Sequence, residues 1–232
     1  MLDFSRFEVL TFDCYGTLIN WEEGILVCLH RILSAHGKDT DDATILELYG
    51  NFEARAEQGE YRLYRDVLES VVRMFGQELE FVPTESEIRS LPESLTNWQP
   101  WPDTSRALGD LQGRFRLAII SNVDDDLFAA TQPKLGVQFS QIITAQQAAA
   151  YKPSMKIFEL ALRHIGVPAH RVLHVGQSVY HDVIPAQSLG FATVWVNRPS
   201  PRSGVGAVKP AHGNPDLQVS SLADLALLTA RS

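Results

Sequence analysis

Phe7-Glu8-Val9-Leu10-Thr11-Phe12-Asp13-Cys14-Tyr15-Gly16-Thr17-Leu18 is the stretch on which the fold turns. Its first six residues are mostly β-branched, aliphatic or aromatic, and the run stops at a carboxylate. That pattern reads as a short strand ending at Asp13. From about Trp21 to Trp98 the spacing becomes helical. Ile25, Leu29 and Ile32 share a face with Leu26 and Leu33, and Gly37 is a natural stop. Ile45, Leu48, Tyr49 and Phe52 repeat the spacing, as do Tyr64, Val67, Leu68, Val71 and Phe75 before a stop at Gly76. Thr84-Glu85-Ser86-Glu87 is a capping box that opens a fourth helix, which Pro92 should end or kink.

After Gln99-Pro100-Trp101-Pro102 the rhythm alternates. Strands are expected at Phe115–Ile120, Gln141–Ile143, Arg171–Val175 and Phe191–Val196. Helices are expected at Thr104–Gln112, Asp125–Thr131, Met155–Ile165, Val183–Leu189 and Leu222–Thr229. Short apolar strands separated by helices predict an α/β fold with a parallel sheet covered on both faces. The expected organisation is a core of residues 1–20 and 99–232 interrupted by a helical cap at 21–98. Asn197–Asp216, with four prolines and three glycines, is expected to be a long surface loop.

Composition narrows the function. Lys+Arg is 20 against Asp+Glu 28 in 232 residues, and no basic run is present, which argues against a nucleic-acid partner. The longest uncharged stretch, Leu135–Tyr151, contains four glutamines and cannot cross a bilayer. The N-terminus is charged before any apolar run, unlike a secretion signal, so a cytoplasmic location is expected. Cys14 and Cys28 form no disulfide or metal-ligand framework.

Ligands of a doubly wound sheet bind at the carboxyl ends of its strands. Asp13 ends the first strand, Ser121-Asn122 the second, and Gly176-Gln177-Ser178 the fourth, with Asp182 shortly after it. Tyr151-Lys152-Pro153 precedes the helix that follows the third strand. One crevice should therefore receive two carboxylates, a lysine and a hydroxyl-amide pair, a set suited to covalent catalysis.

These four motifs, in this order, resemble those of the haloacid dehalogenase superfamily over essentially the whole chain. The resemblance implies a Rossmann-like parallel core with an inserted all-helical cap. Phosphatases of that superfamily place Asp two residues after the nucleophile and bind Mg²⁺ with acidic groups of the first and fourth motifs. Tyr15 and Gln177 stand at two of those positions here. Asp-Cys-Tyr-Gly-Thr-Leu is instead similar to the signature of the (S)-2-haloacid dehalogenases, which use no metal or other cofactor. The resemblance implies that Asp13 attacks C2 of a small anionic carboxylic acid, and that water near Asp182 hydrolyses the resulting ester. Lys152 would keep Asp13 ionised and Thr17 would orient it. Ser121 and the amide of Asn122 would hold the substrate carboxylate, while Tyr15 and Ser178 line the pocket. No metal site is expected, and a homodimer is left open.

The departures from that family concern the substrate. Gly50 stands where the dehalogenases carry a halide-binding arginine, and Arg55, Arg62 or Arg65 is the candidate replacement. Phe158 replaces a pocket tyrosine, His181 replaces a bulky aromatic, and Asp124-Asp125-Asp126 is an acidic run beside an anionic substrate. The plainer readings are a turn cap for Asp13, an N-cap for Asp182, a solvated face for the three arginines, and packing for His174, His181 and Cys14. Trp98 and Trp101 are expected to pack where the cap rejoins the core. The rival functions are a Mg²⁺-dependent phosphatase, a hydrolase opening a small cyclic amino acid, and a non-catalytic scaffold.

Overall fold

β1 (Val9–Phe12) is buried at all four positions, as a central strand covered on both faces requires. It pairs with β2 (Arg116–Ser121) on one side and β4 (Val172–Gly176) on the other, so that Leu10 lies opposite both Leu117 and Leu173. The structure, a computed structural model, describes residues 2–198 and 206–231. Among these, β3 (Gln141–Thr144), β5 (Ala192–Val196) and β6 (Leu217–Val219) complete a parallel sheet of order β3-β2-β1-β4-β5-β6. The chain runs outward from β1 to β3, then crosses back to β4. The switch point between β1 and β4 is where such a sheet opens a crevice.

Four helices follow β1 in succession: α1 (Trp21–Ala35), α2 (Asp42–Ala56), α3 (Tyr64–Glu78) and α4 (Glu85–Ser94). α5 (Thr104–Gln112) leads into β2, and α6 (Asp125–Thr131) leaves it. α7 (Ala145–Ala148) and α8 (Met155–Ile165) follow β3, α9 (Ile184–Ser188) lies between β4 and β5, and α10 (Leu222–Ala230) ends the fold. Among the described residues no helix is long and apolar enough to cross a membrane.

Alternation along the strands divides the core. Leu10, Phe12, Leu117 and Ile119 join one cluster with α5, α10 and the apolar faces of α1 to α4. Val9, Ala118 and Ile120 face the other way, onto Ile157, Phe158 and Ala161 of α8. One continuous core thus ties the cap to a single face of the sheet.

Several boundaries differ from the sequence expectation. α3 runs past Gly76 to Glu78, because that glycine serves packing: a Cβ there would lie 2.7 Å from Pro83 and 2.8 Å from the Phe81 carbonyl. α4 carries Pro92 in its last turn and ends two residues later. β6 is three residues long and held at the sheet edge, too short for a period-2 signal. The capping box forms as expected, with Glu87 N donating to Thr84 Oγ1 at 3.2 Å and Thr84 N to Glu87 Oε2 at 2.7 Å. The loop at 197–216 departs from a plain surface loop. Residues 199–205 lie outside the described residues, but Ala207 beyond them is buried and its N–H donates to Glu22 of α1.

Candidate active site

Asp13 leaves β1 at the switch point, and Gly16 follows at φ +99, a conformation that favours glycine. A Cβ there would strike the side-chain oxygen of Gln177 at 2.1 Å. The turn closes back on itself, so that Thr17 Oγ1 donates to Asp13 Oδ2 at 2.7 Å and accepts from Gln177 N at 2.9 Å. Thr17 therefore joins the ends of β1 and β4.

Lys152 is 2 % exposed and lies between two carboxylates. Its Nζ donates to Asp13 Oδ1 at 2.8 Å, to Asp182 Oδ1 at 2.6 Å and to the Ile120 carbonyl at 3.1 Å. Asn122 fixes the backbone of that lysine from both sides, accepting from Lys152 N at 2.7 Å and donating to Lys152 O at 3.2 Å. Asp182 sits in a π-helical turn (Val179–Val183) that follows β4. Gly176 permits this approach, since a Cβ there would lie 2.5 Å from that of Asp182. The capping role falls to Ser178, whose hydroxyl accepts from His181 N at 3.0 Å, and not to Asp182. Asp182 Oδ2 accepts from Ser178 N at 3.2 Å, while Oδ1 also faces His174 Nε2 at 3.3 Å.

Electrostatics separates the two carboxylates. Burial raises Asp13 above the usual carboxylate range, against the opposing pull of Lys152 and Thr17. Burial acts on Asp182 as well, but Lys152 and His174 outweigh it and hold the group well below that range. The same two carboxylates keep Lys152 firmly protonated in spite of its burial. Burial pushes His181 down to about 4, so it lines the crevice as a neutral ring.

All eight expected residues are thus brought together: Asp13, Thr17, Lys152 and Asp182 in one bonded network, with Tyr15, Ser121, Asn122 and Ser178 around the same crevice. Tyr15 is anchored by its hydroxyl to Thr131 at 2.9 Å and edge-on to Trp98. Trp101 donates to the Gly16 carbonyl, so the two tryptophans do pack beneath the cap. Ser121 Oγ is 1 % exposed, lines the crevice and has no hydrogen-bond partner among the described residues. Cys14 is buried in the core cluster. His174 is buried as expected, yet it touches the site carboxylate and bonds Thr11 Oγ1 at 2.9 Å. Phe158 packs edge-on behind it at 5.3 Å.

A divalent cation fits this donor set poorly. The Asp182 oxygens are already taken by Lys152, His174 and Ser178, and Gln177 supplies an amide where a hard cation favours a carboxylate.

The arginines and the acidic run lie elsewhere. Arg62 donates to the Ala56 carbonyl and to Ser70, Arg65 pairs with Asp124 and Asp126, and Arg55 is exposed. None of the three lines the crevice. Asp124, 1 % exposed, accepts from Tyr64 N at 2.7 Å and Arg65 N at 3.0 Å, capping α3 from across the interface. Asp125 bonds Thr144 at 2.6 Å and Gln147 at 2.9 Å. The acidic run is therefore structural. Gly50 admits no side chain toward this wall, because a Cβ would lie 2.6 Å from the Ala207 carbonyl.

What the cap contributes is acidic. Glu53 and Glu57 of the α2 end line the crevice. Glu53 Oε1 accepts from Tyr49 at 2.9 Å and from Tyr64 at 2.5 Å. The Glu57 side chain has no hydrogen bond or ion pair among the described residues, although its carboxyl feels the Lys152 charge through space. Burial raises the carboxyls of both. The signal was present in sequence: Tyr49, Glu53 and Glu57 recur every four residues, continuing the apolar face of α2 with acids. The crevice has a volume of ≈ 60 Å³, room for about four to six water-sized groups. It opens through shared walls into a vestibule of ≈ 960 Å³ between α2, the Ala149–Lys156 segment and residues 206–210.

Residues 7–190 match the haloacid dehalogenase-like hydrolase family. The chain is 26% identical over 197 residues to haloacetate dehalogenase H-2 of Moraxella sp. (strain B), covering 84% of this chain and 87% of that one. It is 24% identical over 204 residues to an (S)-2-haloacid dehalogenase of Pseudomonas fluorescens, covering 87% and 89%. A shorter match, 31% identical over 102 residues and 43% of this chain, is to the glyceraldehyde 3-phosphate phosphatase of Methanothermobacter thermautotrophicus, 45% of which is covered. Among solved structures, L-2-haloacid dehalogenase from Xanthobacter autotrophicus with chloropropionic acid covalently bound superposes with a TM-score of 0.79 at 21% identity, over 97% of this chain and 98% of that one. The fold is shared.

Proposed function

Because this chain belongs to the haloacid dehalogenase-like hydrolases, we propose that it displaces a substituent at C2 of a small carboxylic acid through an ester on Asp13. The observation that carries this reading is the Lys152 ammonium held between Asp13 and Asp182. A buried carboxylate is a nucleophile only while ionised, and Lys152 supplies the opposing charge. Thr17 turns the carboxylate toward the crevice. The unpartnered Ser121 hydroxyl and the Asn122 amide hold the substrate carboxylate, with Tyr15 and Ser178 shaping the wall. One Asp13 oxygen bonds to C2 as the leaving group departs with its electron pair.

Water then adds to the carbonyl carbon of the ester. Asp182 takes its proton as the new bond forms, when the acidity of that water has risen enough to offset the low basicity of the carboxylate. The C2 oxygen leaves with the product, and Asp13 is restored. Among the relatives the printed names specify haloacids, so halide is the leaving group that likeness suggests. Tyr15 in place of a general acid and the poor donor set for a divalent cation disfavour the phosphatase reading. The reading extends to a reducing, cytoplasmic compartment, which suits two buried free thiols.

The test begins with a panel of 2-chloropropionate enantiomers, haloacetates, strained cyclic amino acids and phosphate esters, with and without EDTA. With the best substrate, a single turnover in heavy-oxygen water with enzyme in excess should label the peptide containing Asp13 and leave the first product unlabelled. Asp182→Asn should trap the ester on that peptide, and Asp13→Asn should lower kcat by about 10⁴-fold or more. Label in the first product with no adduct on Asp13 sinks the mechanism, and turnover that needs Mg²⁺ sinks the branch.

A further inference from the structure

The chain has four tryptophans, and three of their indole N–H groups have an acceptor. Trp98 Nε1 donates to Ser94 Oγ at 3.0 Å, Trp101 Nε1 to the Gly16 carbonyl at 3.0 Å and Trp195 Nε1 to the Gln177 carbonyl at 2.7 Å. Trp21 is the exception. It is 8 % exposed, and its Nε1 is buried with no hydrogen-bond partner among the described residues. A buried N–H in that state costs free energy until an acceptor reaches it. The ring opens α1, packs edge-on against Tyr49 at 5.8 Å and lines the crevice beside Asp13 and Tyr15. Its Nε1 lies against the turn that carries the nucleophile, since a Cβ on Gly16 would be 3.1 Å away.

The other hydroxyl donors of this wall are committed: Tyr64 gives its hydroxyl to Glu53, and Tyr15 bonds Thr131. Among the described residues, only Trp21 and Ser121 both line the crevice and carry a buried polar atom without a partner. Ser121 ends β2, whereas Trp21 belongs to the cap. Displacement at C2 is in line, so a substituent attacked from the strand ends departs toward the helices.

We propose that the Trp21 indole N–H receives the leaving group as it departs from C2, and that this group is a halide of low charge density, chloride or bromide. The proposal rests on the aspartyl-ester reading and names the residue that answers its leaving group. An indole N–H donates and cannot accept, so it serves a lone pair and holds no cation. One neutral donor, in a crevice that also holds Ala207 and Val208, suits a weakly hydrated anion better than fluoride. Glu53 and Glu57 share the crevice, but burial raises both carboxyls, against the pull of Lys152 on Glu57, and so lowers the negative charge that an outgoing halide meets.

The step balances. An Asp13 oxygen bonds to C2 while the carbon–halogen bond breaks, and the halide leaves with the electron pair and accepts the N–H. Trp21 keeps its proton. Water then hydrolyses the ester, so that one water is consumed and one 2-hydroxy acid and one hydrogen halide are released.

The indole ¹H–¹⁵N spectrum shows one resonance per tryptophan, and Trp21→Phe identifies that of Trp21 by its loss. Titrating the wild-type enzyme with sodium bromide at constant ionic strength should shift the Trp21 resonance saturably. Those of Trp98, Trp101 and Trp195, already bonded, should stay in place. In single turnovers of 2-chloropropionate, Trp21→Phe should slow formation of the Asp13 adduct by about 10- to 100-fold and leave its hydrolysis unchanged. The loss should be smaller with 2-bromopropionate, whose leaving group needs less help. A merely structural role would slow both steps alike with both halides. Replacing Trp21 by benzothienylalanine keeps the bicyclic ring without the N–H, and the same kinetics are expected should the phenylalanine variant not fold. A Trp21 resonance that ignores bromide, or unchanged adduct formation in a folded variant without the N–H, overturns the donor. The ester mechanism then stands if the adduct on Asp13 still forms. Absence of that adduct in the wild type with both 2-halopropionates removes the ester mechanism, and the role of Trp21 with it.

Discussion

The strand-end wall of the crevice and the α2 wall facing it treat carboxylates in opposite ways. On the first, Asp182 is met by Lys152, His174 and the Ser178 amide, and Asp13 by Lys152 and Thr17. On the second, the Glu57 side chain has no hydrogen bond or ion pair among the described residues, and that of Glu53 has only two tyrosine hydroxyls on one oxygen. The strand wall satisfies its carboxylates within the protein, whereas the cap wall leaves carboxyl oxygens facing the crevice.

The sharpest way to break this contrast is to remove the cation from the completed wall. Lys152→Met leaves two buried carboxylates without their countercharge and should cost about 3–5 kcal/mol in urea-unfolding free energy. The sign with pH follows from Asp182. Its lowered carboxyl stabilises the fold above the unfolded value of 3.8, and that contribution is lost as pH falls through the folded value. The raised Lys152 stabilises below its ordinary 10.5 and loses this as pH rises through the folded value. The gap between wild type and variant should therefore be widest between these limits and should close on acidification. A gap independent of pH would mean that the lysine matters for packing alone.

A smaller effect should come from Asp124, which joins the two regions. Asp124→Ala uncaps α3 and should lower stability by about 2 kcal/mol, with a far smaller effect on kcat. A large fall in kcat at unchanged stability would place Asp124 in the chemistry. The smallest effect is expected from the cap arginines. Arg55→Ala, Arg62→Ala and Arg65→Ala combined should keep turnover within about twofold, with a stability change of roughly 1 kcal/mol or less per exposed pair.

The same contrast governs what the sequence could reveal. Asp13, Ser121 and Asp182 were legible because each ends a strand or follows one closely, and the topology of a parallel sheet delivers strand ends to one edge. The spacing of Glu53 and Glu57 placed them on the Tyr49 face of α2, but not at the crevice. Where a helix face points depends on how the helix docks, and local periodicity carries no record of that. Asp124-Asp125-Asp126 misled for the same reason, since its role as a cap for α3 exists only across an interface far apart in sequence. Gly50 read as a missing arginine, and its cause, the Ala207 carbonyl pressed against it, lies in a loop more than 150 residues later.

The Asp124 clasp also bears on how molecules come and go. Swinging the cap away from the sheet would strip a helix terminus of its buried anion and break the Tyr151 hydroxyl's 2.8 Å bond to the Arg62 carbonyl. Motion of that kind is costly, so traffic need not wait for it. The vestibule beside α2 already provides a side door, lined by Glu47, Glu57 and Glu60 and equally by Lys152, Lys156 and Lys209. An entrance of that kind lets the crevice exchange its contents while the helices stay docked on the sheet.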